Sequence, residues 1–340
     1  IDVETKEIIH DFHGHEKTIV DIQFLNNNEV ITASQDKALV IWNVETKKQT
    51  DLLQGHEAFL NSVTVSKNLI ASGDAKGKII VWDNDVKQKL KEFSFGEATV
   101  YQLLFSKDGE QLLAGKDDGS IDIWDWKNAK IIKTIKPFKQ PITNLKFIND
   151  DIAISSTLTD GAVGSPILIL DPSDWSVKKF IDTKSEGIYS FHSSPNKRFI
   201  VSSGMDNLVH IWNARTTKKL ATIYTLGHSE TTGQCGEWAV VTSDGLFDAS
   251  SKGMELMHFT YQFEAIELSQ LKTRYYEPDL LQKILGYNEE PIRQVSSFSD
   301  VKLYPTTTIE LKKGFSLDVK LEPRNGGIGR LAVFINNKEV

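Results

Sequence analysis

The tryptophans of this chain are spaced by a rule. Trp42, Trp82, Trp124 and Trp212 each close an apolar run and precede Asn or Asp. They lie 40, 42 and 88 residues apart, the last interval being two periods. The intervening copy closes on Ile169-Leu170-Asp171, with Leu in the Trp place. Such self-similarity means one supersecondary unit copied along the chain. The clearest copy is 14–44. It opens on Gly14-His15, closes on Trp42-Asn43, and holds three alternating runs at 19–24, 29–34 and 38–42. Period-two alternation with β-branched residues reads as strand. Asn26-Asn27-Asn28 and Gln35-Asp36-Lys37 are turn-rich breaks, so the unit is an antiparallel meander.

Five copies follow one another, at 14–54, 55–95, 96–136, 137–183 and 184–226. Gly-His early, Trp-Asp late and a period near 40–45 residues fit four strands per propeller blade. On these residues the span from 1 to about 226 resembles a WD-repeat β-propeller. The resemblance implies a mainly β fold with five full blades, expected to be part of a seven-bladed ring. It also implies a hydrogen-bonded set of His, Ser or Thr, Asp and Trp in each blade. Copy one matches with His15, Thr32, Asp36 and Trp42. Copy two matches with His56, Ser72 and Trp82, and Lys76 falls at the Asp place. Copy three has Asp118 and Trp124, with Gly96 at the His place. Copy five has Ser202, Asp206 and Trp212, with Lys184 at the His place. Copy four keeps none and has a longer middle, 157–164, which makes it the most irregular blade expected. A buried polar chain of this kind stabilises only when every member is satisfied.

Residues 1–12 resemble the end of an earlier repeat, since Ile1-Asp2-Val3-Glu4-Thr5-Lys6 parallels Trp42-Asn43-Val44-Glu45-Thr46-Lys47. The expectation is a trimmed chain with earlier blades missing. After Leu226 the pattern changes. Gly227-His228 announces a repeat, and 238–248 reads as a hairpin turning on Ser243-Asp244-Gly245. No Trp-Asp strand follows. A helix is expected from a Ser269 cap to Tyr276, and another with Pro278 at its first position, Leu280, Leu281, Ile284 and Leu285 on its apolar face, and Gly286 at its end. Alternating runs return from Val301, with a hairpin turn at Asn336-Asn337-Lys338. The domains expected are a propeller at 1–253, a helical linker at 254–295, and the start of an immunoglobulin-like β-sandwich at 296–340.

The tail carries a second resemblance. Gly236-Glu237-Trp238, Phe247-Asp248-Ala249-Ser250, Tyr275-Tyr276-Glu277-Pro278-Asp279-Leu280-Leu281 and Gly326-Gly327-Ile328-Gly329-Arg330 resemble the join in bacterial proteins that place WD repeats before a caspase-like peptidase domain. This implies a regulatory region whose catalytic domain lies beyond residue 340.

Composition narrows the function. One Cys in 340 residues forbids an internal disulfide and fits a reducing, cytoplasmic setting. A net charge of −7 argues against general binding to nucleic acid or an anionic membrane. No apolar run approaches the roughly 18 residues of a membrane span. Candidate chemistry is sparse. Gln234-Cys235-Gly236 matches a caspase nucleophile poorly: the Ala is absent and His228 is too near in sequence. His10, His13 and His15 lack a Cys and fall on a strand–turn pattern, which argues against zinc. The acidic run at 117–125 lacks the Gly and Glu of a calcium loop. Arg324-Asn325-Gly326-Gly327-Ile328-Gly329 leads into a strand, so it reads as a turn and not a phosphate loop. Trp126, Trp175 and Tyr189 are candidates for an aromatic partner surface.

The expectation is therefore a non-catalytic scaffold or sensor propeller, with no catalytic residues, no metal and no cofactor, that binds a protein or peptide. The propeller resemblance implies that the turn before each Trp strand and the entry to each inner strand reach one face around the channel. The residues there are Gln35, Ala75, Asp117 and Met205 in the turns and Thr18, Phe59 and Thr99 at strand entry. Phe59 and Met205 are the apolar anchors expected among them.

Overall fold

Each repeat folds as the alternation dictates. The computed structural model describes residues 5, 8–94, 96, 98–157, 164–185, 187–226, 236–261, 264–295, 305–312, 316–324, 327, 334–335 and 338–339. The first meander is β1 (Ile19–Phe24), β2 (Glu29–Ser34), β3 (Ala38–Asn43) and β4 (Lys48–Gln54). The second is β5 (Leu60–Ser66), β6 (Leu69–Asp74), β7 (Lys78–Asp83) and β8 (Gln88–Ser94). The third is β9 (Val100–Phe105), β10 (Gln111–Lys116), β11 (Ile121–Asp125) and β12 (Lys130–Ile135). The fourth is β13 (Asn144–Ile148), β14 (Asp151–Ser155), β15 (Ile167–Leu170) and β16 (Val177–Ile181). The fifth begins with β17 (Ile188–Ser193), β18 (Phe199–Gly204) and β19 (Val209–Asn213), and β20 (Lys219–Leu226) follows. The pairings within the meanders are antiparallel, and the described residues of 14–226 hold no helix. The described residues are mainly β and form five blades.

The register explains the tryptophan rule. Trp42 stands opposite Val30, Trp82 opposite Ile70, Trp124 opposite Leu112, Leu170 opposite Ile152 and Trp212 opposite Ile200. Leu170 thus occupies the Trp place of blade four. Beside that place the third and fourth strands of blades one to four slip register, which increases local twist.

The apolar core lies between blades. Ile31, Ala33, Leu39 and Ile41 of blade one pack on Leu60, Val63, Ile70, Ile80 and Trp82 of blade two. Ala71, Ile79 and Val81 then pack on Leu103, Phe105, Leu112 and Trp124. Leu113, Ile121 and Ile123 meet Leu145, Ile152, Ile154 and Leu170, and Ala153, Ile167 and Ile169 meet Phe191, Ile200 and Trp212. Each of blades one to four buries one face on the Trp face of the next. This nearest-neighbour burial is the energetic signature of a repeat protein.

The chain divides into two compact units, Ile1–Lys218 and Lys219–Val340. In the second unit β20 pairs with β21 (Glu237–Thr242), which pairs with β22 (Phe247–Ala249). The turn runs as the Ser-Asp-Gly sequence requires, with Gly245 at φ 94° and its N–H on the Thr242 carbonyl at 3.1 Å. Then come α1 (Ser251–Leu256), β23 (His258–Tyr261), β24 (Glu264–Glu267), α2 (Leu268–Tyr275) and α3 (Leu280–Leu285). Three sequence expectations need correction here. Glu267, not Ser269, stands at the N-terminus of α2, and the Ser269 hydroxyl donates to Glu267 at 3.1 Å. Pro278 precedes α3, whose N-terminal flank is Asp279 in the left-handed region. The stretch expected to be a helical linker also contains the β23–β24 hairpin. Gly286 does end α3, at φ 83°. Buried Asp248 of β22 accepts hydrogen bonds from the N–H groups of Asp279 and Leu280 and from Tyr276, so it holds α3 on the sheet. Beyond residue 304, β25 (Thr306–Lys312) pairs with β26 (Ser316–Glu322), and β27 (Phe334–Ile335) with β28 (Lys338–Glu339). These are two hairpins among the described residues. The turn reading of the Gly-rich stretch is met where it is described: Gly327 has φ 74° and donates to the Arg324 carbonyl at 2.8 Å.

Candidate protein-interaction face

In blades one and two a buried polar relay lies behind the turn that precedes the Trp strand. In blade one Trp42 Nε1–H donates to Thr32 Oγ1 at 2.8 Å, and Thr32 Oγ1 lies 2.7 Å from His15 Nε2. A carboxylate only accepts, so His15 Nδ1 carries a hydrogen and donates to Asp36 at 2.7 Å. Asp36 also accepts the N–H groups of Glu16 and Ala38, both at 3.0 Å. The four residues singled out for blade one are thus one connected network. Burial raises the Asp36 carboxyl, but the bonds from His15 and the two N–H groups outweigh it and hold it below the usual value.

Blade two builds the same relay with a different carboxylate. Trp82 Nε1–H donates to Ser72 at 3.0 Å, Ser72 lies 2.7 Å from His56 Nε2, and His56 Nδ1 donates to Asp74 at 2.8 Å. Lys76, expected at the Asp place, is not a member. Asp74 at the end of β6 reaches the His ring from two residues earlier. Its other oxygen takes the N–H groups of Lys76 and Lys78 at 2.9 and 3.0 Å, so one side chain ties the turn and the ring. The sequence signal was there, in the carboxylate two residues after the Ser.

Asp74, His56 and Ser72 have the order of a hydrolase triad, but the arrangement is sealed. Ser72 is fully buried, Asp74 is 1% exposed, and the Ser72 oxygen already accepts the Trp82 N–H. No substrate atom reaches that oxygen, so the geometry is a fastening and not a nucleophile.

The remaining blades depart further. In blade three Ala114 stands at the Thr32 position and Gly96 at the His place, so the relay cannot form. Its interior polar group is instead Asp122, 2% exposed, paired with Lys116 at 2.8 Å and with Thr134 at 2.5 Å. Asp118 ties its own turn through the Ser120 N–H and hydroxyl. In blade five Lys184, at the His place, lies on the surface paired with Asp182. The ring that meets Asp206 belongs to His210 of β19, 2.8 Å away and 4% exposed, while Trp212 donates to Ser202 at 2.9 Å. Blade four has Ile154 and Leu170 at the relay positions. Buried Ser156, Ser165, Thr183, Ser185 and Gly187 are hydrogen-bonded beside them.

These fastenings present the candidate contact residues in a repeated corner. Gln35 N–H donates to the Thr18 carbonyl at 2.9 Å, and Ala75 to Phe59 at 2.9 Å. Asp117 donates to Thr99 at 3.3 Å, and Met205 to Gly187 at 2.9 Å. Gly187 therefore holds the strand-entry place of blade five. Thr18 and Asp117 are exposed, and Gln35 and Thr99 half-buried. Thr99 Oγ1 also donates to the Ala75 carbonyl at 3.1 Å, linking blades two and three at this corner. Phe59 is 45% exposed, with the Lys17 ammonium 4.8 Å from its ring centre, and Met205 is 40% exposed.

The three aromatic candidates separate. Trp126 is 6% exposed, its Nε1–H donating to the Gly109 carbonyl at 2.9 Å, so it is packing and not surface. Trp175 is half-buried in the left-handed region at φ 68°, against a cavity of about 330 Å³ that Phe147 and Lys107 also line. Tyr189 is 54% exposed. His228 and Cys235 lie outside the described residues, as do 158–163 of the long middle of blade four. Among the described residues there is no metal-binding cluster and no helix long and apolar enough to cross a membrane.

Residues 6–43 and 175–213 match the model of the WD domain, G-beta repeat. The chain carries WD repeats of the β-propeller kind. Residues 54–163 match the model of the Vps8 β-propeller. Among similar proteins, a guanine nucleotide-binding protein subunit beta of Saccharomyces cerevisiae is 27% identical over 136 residues, 38% of this chain and 32% of that protein. The small ribosomal subunit protein RACK1y of Oryza sativa subsp. japonica is 28% identical over 162 residues, 44% of this chain and 48% of that protein. The COMPASS component SWD3 of Saccharomyces cerevisiae is 23% identical over 206 residues, 55% of this chain and 64% of that protein. The chain thus spans about a third to under two thirds of the length of these WD-repeat relatives.

Proposed function

We propose that this WD-repeat chain is a non-catalytic protein-interaction scaffold or sensor, acting in the cytoplasm without a cofactor. Its partner is a protein or peptide held at the corner face of Thr18, Gln35, Phe59, Thr99, Asp117 and Met205. The observation that carries this reading is the repeated corner bond. Four strand entries are stapled to four turns, and Phe59 and Met205 stand about two-fifths exposed on that backing. Side chains on a rigid support lose little freedom on binding. The names of the similar proteins point the same way, as a subunit, a ribosomal subunit protein and a COMPASS component.

The narrower reading is a ring of more than five blades, seven in number, with 1–253 as propeller, 254–295 as linker and 296–340 as the start of an immunoglobulin-like sandwich. An uncovered face supports the larger ring. Ile22 and Phe24 of β1 are 58% and 71% exposed, while Val63, Leu103, Leu145 and Phe191, at the Ile22 register of later blades, are at most 3% exposed. The reading as regulatory region of a bacterial caspase-like protease rests on the tail motifs alone. The scaffold reading is tested with Phe59→Ala combined with Met205→Ala. The pair is expected to weaken retention of a natural partner in a pull-down while the melting temperature stays within a degree or so, since surface truncations rarely exceed about 0.5 kcal/mol. Equal retention by folded variant and parent refutes the face.

A further inference from the structure

One register of the first strands shares the sheet face of Ile31, Ala71, Leu113 and Ala153 of the blade-to-blade core. Gln23, Thr64, Leu104, Lys146 and His192 hold it, opposite Ile31, Ala71, Leu113, Ala153 and Val201. Lys146 and His192 are neighbours there. Lys146 Nζ donates to His192 Nε2 at 2.9 Å and to Ser190 Oγ at 3.3 Å. An ammonium only donates, so His192 accepts as a neutral ring with its hydrogen on Nδ1. Among the described residues no carboxylate pairs with Lys146. Asp21 influences it from a distance, but accepts from Val63 N–H at 3.0 Å, Ile22 N–H at 2.8 Å and Ser62 Oγ at 3.3 Å. Burial pushes the Lys146 amine below its usual value, and burial together with the Lys146 charge does the same to His192. A half-buried ammonium held only by neutral acceptors is under-compensated. Elsewhere in this unit half-buried Lys116 lies on Asp122, and Lys178 on Asp151 and Asp171.

We propose that Lys146, Ser190 and His192 form an oxyanion site on the first-strand wall of blades four and five, taking a carboxylate or a phosphate group. Lys146 supplies the charge and its third N–H, Ser190 supplies a hydroxyl donor, and His192 positions the amine by accepting one of its hydrogens. Charge-assisted bonds from an ammonium to an oxyanion are shorter and stronger than the neutral contacts now made. His192 is exposed and the other two residues are half-exposed, so the site is open to solvent. It does not depend on the partner face above and stands if that face fails.

The test is titration of the ¹⁵N-labelled full chain with sodium phosphate and, separately, sodium succinate, at constant ionic strength against sodium chloride. Saturable shifts of the Lys146, Ser190 and His192 amides are expected with at least one of the two anions, and which one identifies the ligand. Lys146→Met is expected to weaken that binding at least about tenfold, and Lys146→Arg to retain it, because the cationic charge supplies most of the attraction. Should Lys146→Met not fold, Lys146→Gln replaces it. Absence of saturation with both anions, equal shifts in chloride, or unchanged binding in the neutral variant overturns the site.

Discussion

Asp74 and Lys76 of blade two put the relay to a residue-scale test. Lys76 stands where alignment with Asp36 places the carboxylate, yet Asp74 makes the bond to His56. Removing Asp74 leaves a buried imidazole N–H and two turn N–H groups without their acceptor, at about 1–3 kcal/mol for such orphaned groups. Asp74→Ala is therefore expected to lower stability by at least that range in urea melts, and Lys76→Ala by less than about 0.5 kcal/mol. The reverse order would restore the alignment-based assignment. Asp36 and Asp74 also set a pH dependence. In both, burial raises the carboxyl, while the His bond and the backbone N–H groups outweigh it and leave the folded value low. A folded value below the unfolded one adds stability that is complete above about pH 4 and lost as pH falls through the folded value. Melting temperature is expected to drop below about pH 4, more gently in the Asp36→Asn, Asp74→Asn double variant. A parallel acid limb in parent and variant would show that other carboxylates govern it. The relay of blade one was legible because its His, Thr, Asp and Trp sit at the expected spacings. The carboxylate of blade two and the ring of blade five were not. A carboxylate two residues earlier reaches the same ring, and His210 arrives from β19 instead of from the loop before β17. Spacing along the chain does not separate routes that converge in space.

At the scale of the element, nearly all of the sheet structure was legible, since alternation sets the strand and its faces together. The pairing of Trp42 with Val30 and of Leu170 with Ile152 carries the period through the blade that lacks a Trp. The short helices were harder. Ser269 and Pro278 have the right chemistry for helix starts, but α2 and α3 begin where Leu268 and Leu280 bury against the sheet, both fully enclosed. Packing overrides capping preference in helices this short. The turns obey a stricter rule. Gly119, before β11, has φ 81°, and a Cβ there falls 2.3 Å from the Phe138 carbonyl oxygen. Backbone strain and a backbone clash act together, so Gly119→Ala is expected to cost more than the roughly 1 kcal/mol of an ordinary left-handed glycine. The thermal melt of that variant measures it. An unchanged midpoint would mean that the turn relaxes at no cost.

For the molecule as a whole, stability is carried from blade to blade, because each core cluster is shared by two neighbours. A polar stitch accompanies the apolar one. Asp21 of blade one accepts the Val63 N–H of blade two at 3.0 Å, Ser62 accepts the Leu103 N–H of blade three at 3.1 Å, and Asn144 donates to the Ile188 carbonyl of blade five at 3.0 Å. Blades two, three and four are covered on both faces. The Trp face of blade one has Phe12 and Val44 over Val30, Val40 and Trp42, and leaves Ile22 and Phe24 in water. A blade with one face partly in water opens at lower free energy than one covered on both faces. Native-state hydrogen exchange is expected to rank the amides of β2 and β3 below those of β6, β7, β10 and β11 in protection. Asp21→Ala removes the stitch on the one covered side of blade one. It should accelerate exchange in β1 and β2 further, and leave β10 and β11 nearly unchanged. Uniform protection across the three blades, or an Asp21→Ala effect spread equally over them, would mean that the array opens as one cooperative unit and that the nearest-neighbour account of its stability is wrong.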